Sequence, residues 1–253
     1  GIYVDGSYAA GIPVANYYFA APLVSAALVG RSGIDLGPTP TPGMTKYLRR
    51  VLLMPPTATG ILTFRFVDVC LFYPGVDGDG GAQEMVQAAV LTRYHGGEGC
   101  RIMVVSQGAG TGVINVLVTY TNSAGISGRQ ATATLNLTAA PGSLCSCNPP
   151  GVAYAYPCAP FLPLASGDTG VRSIEMVELL SAGGGISAFV IVKPLLEMGM
   201  AEASVAPIEV DLLADRSLKL EQVDEGAYLS AIFIGTITAT PATINGEVET
   251  IWG

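Results

Sequence analysis

The sequence predicts an all-β fold, an antiparallel β-sandwich of jelly-roll-like kind with an extended N-terminal arm. Three observations carry that prediction. Apolar runs of about 5–10 residues are separated by turn formers, and the 253 residues include 32 glycines and 17 prolines. A strict two-residue alternation marks the stretch from Gly108 to Thr138. Almost no segment has the helical spacing that a parallel sheet needs between its strands. The length permits one sandwich with an arm or two small sandwiches, and the composition of the first 45 residues favours an arm and linker at 1–45 and a sandwich body at 46–253.

The arm contains only three charged side chains, Asp5, Arg31 and Asp35. Its run Gly37-Pro38-Thr39-Pro40-Thr41-Pro42-Gly43 is neither helix nor central strand, because each proline lacks an N–H and restricts the residue before it. It reads as an extended linker. The aromatic residues Tyr17, Tyr18 and Phe19 precede it and would be a liability in water. The arm is therefore expected to lie on its own body or on a neighbour's, with these three as the candidate contact residues.

In the body, Tyr47–Met54 reads as a strand ended by Pro55-Pro56, and Ile61–Tyr73 as a long strand ended by Pro74-Gly75. Ile114, Val116, Val118 and Tyr120 alternate with Asn115, Leu117, Thr119 and Thr121; after a turn at Asn122-Ser123-Ala124-Gly125, residues Gln130–Thr138 alternate in the same way. That is an antiparallel hairpin with one face inward. Val171–Leu180 and Ile186–Leu195 read as a second hairpin around Ser181–Gly185. Val205–Leu213, Tyr228–Ala239 and Glu247–Trp252 bring the total to about nine or ten strands. Gly81–Thr92 and Asp215–Val223 read as short helical or irregular turns.

Charged residues form 13% of the chain against a typical ~25%, while 50% is apolar. A surface this poor in charge is expected to be hidden against other chains, and the scarcity of lysine (Lys46, Lys193 and Lys219 only) fits that reading. The net charge of −8 and the absence of any basic cluster beyond Arg49-Arg50 argue against direct nucleic-acid binding. Mean hydropathy is +0.48, yet no uninterrupted apolar stretch of ~18 residues occurs, so no membrane span is expected. The N-terminus lacks a basic segment followed by an apolar run, and no signal peptide is expected. Cys70, Cys100, Cys145, Cys147 and Cys158 read as buried free thiols, with a local disulfide near Cys145 as the alternative.

A single histidine, His95, argues against imidazole-based catalysis and against zinc or iron centres; it reads as a loop residue in Tyr94-His95-Gly96-Gly97-Glu98-Gly99. The loop Asp77-Gly78-Asp79-Gly80-Gly81-Ala82-Gln83-Glu84 offers oxygen ligands at alternate positions but lacks the spacing of an EF-hand. Glu175, Glu178 and Glu197 are carboxylates without a specific pairing signal. Gln107–Gly112 is glycine-rich but leads into a strand, so it reads as a turn rather than a phosphate loop. The chain is expected to be no enzyme and to hold no cofactor or metal.

The stretch Thr119-Tyr120-Thr121-Asn122-Ser123-Ala124-Gly125-Ile126-Ser127-Gly128-Arg129, with the later Pro163-Leu164-Ala165-Ser166-Gly167-Asp168-Thr169-Gly170-Val171-Arg172-Ser173 and the C-terminal Trp252, resembles a group of tailed-bacteriophage virion proteins over roughly residues 47–253. The resemblance implies a capsid cement or decoration protein on the exterior of the virion, self-associating as a homotrimer and contacting the major capsid protein. The alternative is a carbohydrate- or receptor-binding sandwich of a phage tail, collar or head fibre. A sandwich hydrolase is the third and weakest reading.

Overall fold

The computed structural model describes residues 2–5, 21–28, 34, 37–54, 62–150, 160–200, 207–215, 219–235 and 245–253. Fourteen strands occur among them, and they pack as antiparallel sheets. In chain order these are β1 (Ile2–Asp5), β2 (Ala26–Ala27), β3 (Lys46–Met54), β4 (Leu62–Asp77), β5 (Ala82–Glu84), β6 (Arg101–Gly108) and β7 (Val113–Asn122). Then follow β8 (Arg129–Asn136), β9 (Cys147–Asn148), β10 (Val171–Leu179), β11 (Ile186–Met200), β12 (Ile208–Asp211), β13 (Leu229–Gly235) and β14 (Asn245–Trp252). One sheet runs β1-β13-β4-β11-β6 with β2 also on β4, a second runs β5-β10-β7-β8-β9, and a third runs β12-β3-β14. Several strands beyond those read from the sequence are two to four residues long, too short to show a period.

The long strands β4 and β11 are shared by two cores. Toward their Val76 and Ile186 ends, Cys70, Tyr73, Ile102, Phe189 and Ile191 pack on Ile114, Val116, Val118, Tyr120, Ala133 and Leu135 of the five-stranded sheet. Toward the other end, Phe64, Phe66, Leu196 and Met198 pack on Leu48, Val51 and Leu53 of β3. The large sheet is apolar on its second face as well: Val67, Val69, Met103, Val105, Val190 and Val192 form a further cluster with Leu28, Leu144 and Tyr228. Burial on both faces explains why β4, β6 and β11 read as apolar runs rather than as alternations.

Three sequence expectations are corrected. The chain does not stop at Pro74-Gly75; β4 runs through it to Asp77, because Tyr73 and Val76 lie opposite Phe189 and Ser187, and the extra residues bulge out. Gly75 has φ +74° there, and a proline in a bulge removes no ladder hydrogen bond. Nor do the strands around Ser181–Gly185 form a hairpin. β10 pairs with β7 and β5, while β11 pairs with β4 and β6, so the chain crosses from one sheet to the other. The crossing is tight: a Cβ on Gly78 or Gly110 would collide with the Gly184 carbonyl, and Gly183 N–H donates to the Gly78 carbonyl at 2.9 Å. The glycines of Gln107–Gly112 thus serve close approach of backbones. Within Gly81–Thr92, Ala82–Glu84 is a strand pairing with β10.

From the first 45 residues, β1 and β2 pair with β13 and β4, and Pro38 accepts a 2.7 Å hydrogen bond from the Lys46 ammonium. Tyr73 ties the two sheets directly: its hydroxyl donates to Gln87 Oε1 at 2.8 Å and accepts from the Ile174 N–H of β10 at 3.0 Å. Replacing Tyr73 with Phe leaves a buried N–H without its acceptor, and the expected loss is about 1.5 kcal/mol in urea unfolding.

Candidate functional site

Tyr17, Tyr18 and Phe19 lie outside the described residues, as does Cys158. Cys70, Cys100, Cys145 and Cys147 are buried free thiols, and burial pushes the Cys145 thiol up to about 12, so it is inert at neutral pH. In the acidic loop, Asp77 Oδ1 accepts from Asp79 N–H at 3.0 Å and Asp79 Oδ1 from Gly184 N–H at 2.9 Å. These carboxylates hold the loop against the crossing point. No group of three or more His, Cys, Asp or Glu gathers in metal-binding geometry among the described residues. Glu175 and Glu178 lie on β10, whereas Glu197 lies on β11 in another sheet and pairs with Arg65 at 2.9 Å.

The outward side of the hairpin β7–β8 is a different matter. Ile114, Val116, Val118 and Tyr120 are buried in the sandwich, so Val113, Asn115, Leu117, Thr119 and Thr121 face away from it. Opposite them in register stand Asn136, Thr134, Thr132 and Gln130. None of these nine side chains is charged. Asn115 is tied to Thr134 by a 2.7 Å hydrogen bond, and β10 extends the face with Met176, Glu178 and the exposed Leu180. Among the described strands of this sheet, acidic residues enter from β10 and β5.

The motif residues that carry the resemblance converge at the Asn122 end of this sheet. Asp168 is their centre. It accepts from Tyr120 Oη at 2.5 Å, Asn122 Nδ2 at 2.8 Å and Arg129 Nε at 2.9 Å. Its side chain is 4% exposed. Burial pushes the Asp168 carboxyl up, but the hydrogen bonds from Tyr120, Asn122 and Arg129 outweigh that and hold it at about 2. Nearby, Glu175 accepts from Thr121 Oγ1 at 2.6 Å, and Asn122 Oδ1 accepts from Ile126 N–H at 3.0 Å to close the turn. Two sequence pieces some forty residues apart are therefore one hydrogen-bonded unit that fixes the end of the charge-free face.

His95 sits in an unusual backbone. Tyr94, His95, Gly96 and Gly97 have φ of 51°, 50°, 78° and 105°, a single left-handed turn. For Tyr and His that conformation costs roughly 1–2 kcal/mol each, so the surroundings must impose it. They do. A Cβ on Gly97 would meet the Val171 carbonyl, Gly99 N–H donates to the Thr169 carbonyl at 3.1 Å, and Tyr94 Oη donates to Asp68 Oδ2 at 2.8 Å.

Asp68 is fully buried, with Arg93 Nη1 at 3.4 Å from its Oδ1 and the Tyr228 N–H donating to the same oxygen at 2.9 Å. Arg93 also donates to the carbonyls of Leu28, Val69, Cys70 and Gly226. Burial pushes Asp68 up to about 6 despite the pull of Arg93, Tyr94 and Tyr228, and burial likewise raises the Tyr94 hydroxyl. This network joins residues of the N-terminal segment, β4 and the approach to β13. Sequence reading passed over it, although the signal was there: Asp68 is the one acid inside the apolar run from Phe66 to Phe72 and needs a partner.

No protein-family model, no curated protein and no solved structure matches this chain.

Proposed function

We propose that the chain is a structural protein of a tailed-phage particle, a cement or decoration protein that associates with copies of itself and with the major capsid protein on the outside of the shell. The observation that supports this best is the uncharged outer face of β7 and β8. Copies that each carry a net charge of −8 repel one another, and a face without charge is where they approach at least cost. At about 3.4 Å per residue and about 4.8 Å between strands, this two-stranded face covers on the order of 300 Å² per copy. That is small for a lone complex. Multiplied over a lattice, many modest contacts hold firmly, which is what cementing a shell requires. The motif resemblance and the proline-rich linker support the same reading.

The test is to place a charge in the middle of the face. Leu117→Lys puts an ammonium in a half-buried position between Thr132 of β8 and Glu178 of β10 and leaves the inward core untouched. The variant is expected to fold with an unchanged melting temperature within a few degrees, to lose self-association, and to leave shells unprotected against heat. An L117K protein that still assembles and still protects shells would remove this face from the mechanism.

A further inference from the structure

The chain has one histidine and three lysines, and His95, Lys193 and Lys219 line a single cleft of about 480 Å³. The cleft lies where the left-handed turn and β11 meet the three-stranded sheet. There Tyr47 of β3 bridges to Gln222, and Leu48 N–H donates to the Glu221 carbonyl at 3.0 Å. Junctions of this kind are common ligand sites, and the volume is within the ~300–1,000 Å³ typical of them. Two lysines, the histidine, Glu98 and Glu221 gather in this cleft; the other charged cluster, Arg49 and Arg50 with Glu209, Asp211 and Glu249 on the three-stranded sheet, is closed on itself by ion pairs.

Two tyrosines form part of the walls. Tyr94 is fixed by its bond to Asp68, and the Lys193 ammonium stands 5.6 Å from its ring centre while donating to the Glu98 carbonyl at 3.3 Å. Lys193 is also 3.9 Å from Glu221. No ion pair engages Lys219 or the Glu98 carboxylate among the described residues, and His95 is exposed. The cleft thus combines ring faces for an apolar C–H surface, carboxylates that accept from hydroxyls, and ammonium groups for one negative charge. A phosphate dianion or a polyanion is disfavoured by the two carboxylates. We propose that this cleft binds a carboxylated sugar, such as a uronic acid unit of a bacterial surface polysaccharide, with its carboxylate toward Lys219, its hydroxyls toward Glu98 and Glu221, and its ring against Tyr94 or Tyr47. The strain held at Tyr94 and His95 is then explained as the cost of presenting these side chains to the cleft.

The site is separate from the sheet face, and its test uses the free full-length protein without shells, so it stands or falls independently of the cement reading. Because His95 is the only histidine, its imidazole C–H signals in NMR report on the cleft without ambiguity. Titration with glucuronate is expected to shift them saturably in the millimolar range, with glucose giving at most a weak shift and acetate none. Lys219→Ala, at an exposed position, is expected to weaken glucuronate binding about fivefold while leaving the spectrum of the fold unchanged. No saturable shift with glucuronate, an equal response to acetate, or K219A binding like the parent would overturn the proposal.

Discussion

Asp68→Ala is expected to lower the unfolding free energy by about 4 kcal/mol at neutral pH, read from the urea midpoint at unchanged slope. The change removes the acceptor of two buried donors, the Tyr228 N–H and the Tyr94 hydroxyl, and the ion-pair partner of the Arg93 guanidinium, whose side chain is only 7% exposed. Arg93 keeps its carbonyl partners but loses its ion-pair partner, and a guanidinium does not escape by losing its proton. The left-handed turn loses one of its restraints at the same time. A loss below about 1 kcal/mol would show that the network is dispensable.

The same carboxylate sets a pH dependence with a definite sign. Its ordinary value is 3.8 and its value in the fold is about 6, so the native state binds the proton more tightly. Its contribution is fully present below 3.8 and is lost as the pH rises through about 6. The protein is therefore expected to gain stability on acidification from neutrality toward pH 4, and D68A is expected to lack that gain.

Asp168→Ala is the second large effect, expected at about 2 kcal/mol. It strips the partner from the Tyr120 hydroxyl and from Asn122 Nδ2, both inside the end of the sandwich; the Arg129 guanidinium, a third exposed, adds little. Here the pH dependence is reversed. The folded value of about 2 lies below the ordinary 3.8, so this contribution is present above 3.8 and is lost as the pH falls through about 2. Wild-type stability should thus peak near pH 4, with Asp68 shaping the limb above and Asp168 the limb below. Thermal melts of the parent and the two alanine variants across pH 2–8 separate the two limbs.

What could be read from sequence follows from how local the determinants are. The hairpin β7–β8 was legible residue by residue, because its two sides differ in polarity and its turn residues are specific: Asn122 closes the turn with its own side chain. The strands of the large sheet were legible as strands, but not in their partners. Val171–Leu179 and Ile186–Met200 carry the same signals whether they pair with each other or diverge into two sheets, and the choice is made by the glycine contacts among Gly78, Gly110 and Gly184, far apart in the chain. Pro74-Gly75 likewise breaks a strand by local rule; pairing with β11 overrides it. The outward face of β7–β8 was visible as an alternation and recognisable as uncharged. That Asp168 anchors its end was not visible, since Tyr120, Asn122 and Arg129 are joined to it only in the fold.

If the uncharged face of β7 and β8 drives assembly, light scattering on the purified protein followed by mixing with purified phage shells reads it out. A trimer, three times 26.0 kDa, that sediments with shells and raises their resistance to heat is expected, and an L117K variant that does neither. A 26.0 kDa monomer that leaves shells unchanged would contradict it and would bring a receptor-binding role for the cleft to the front.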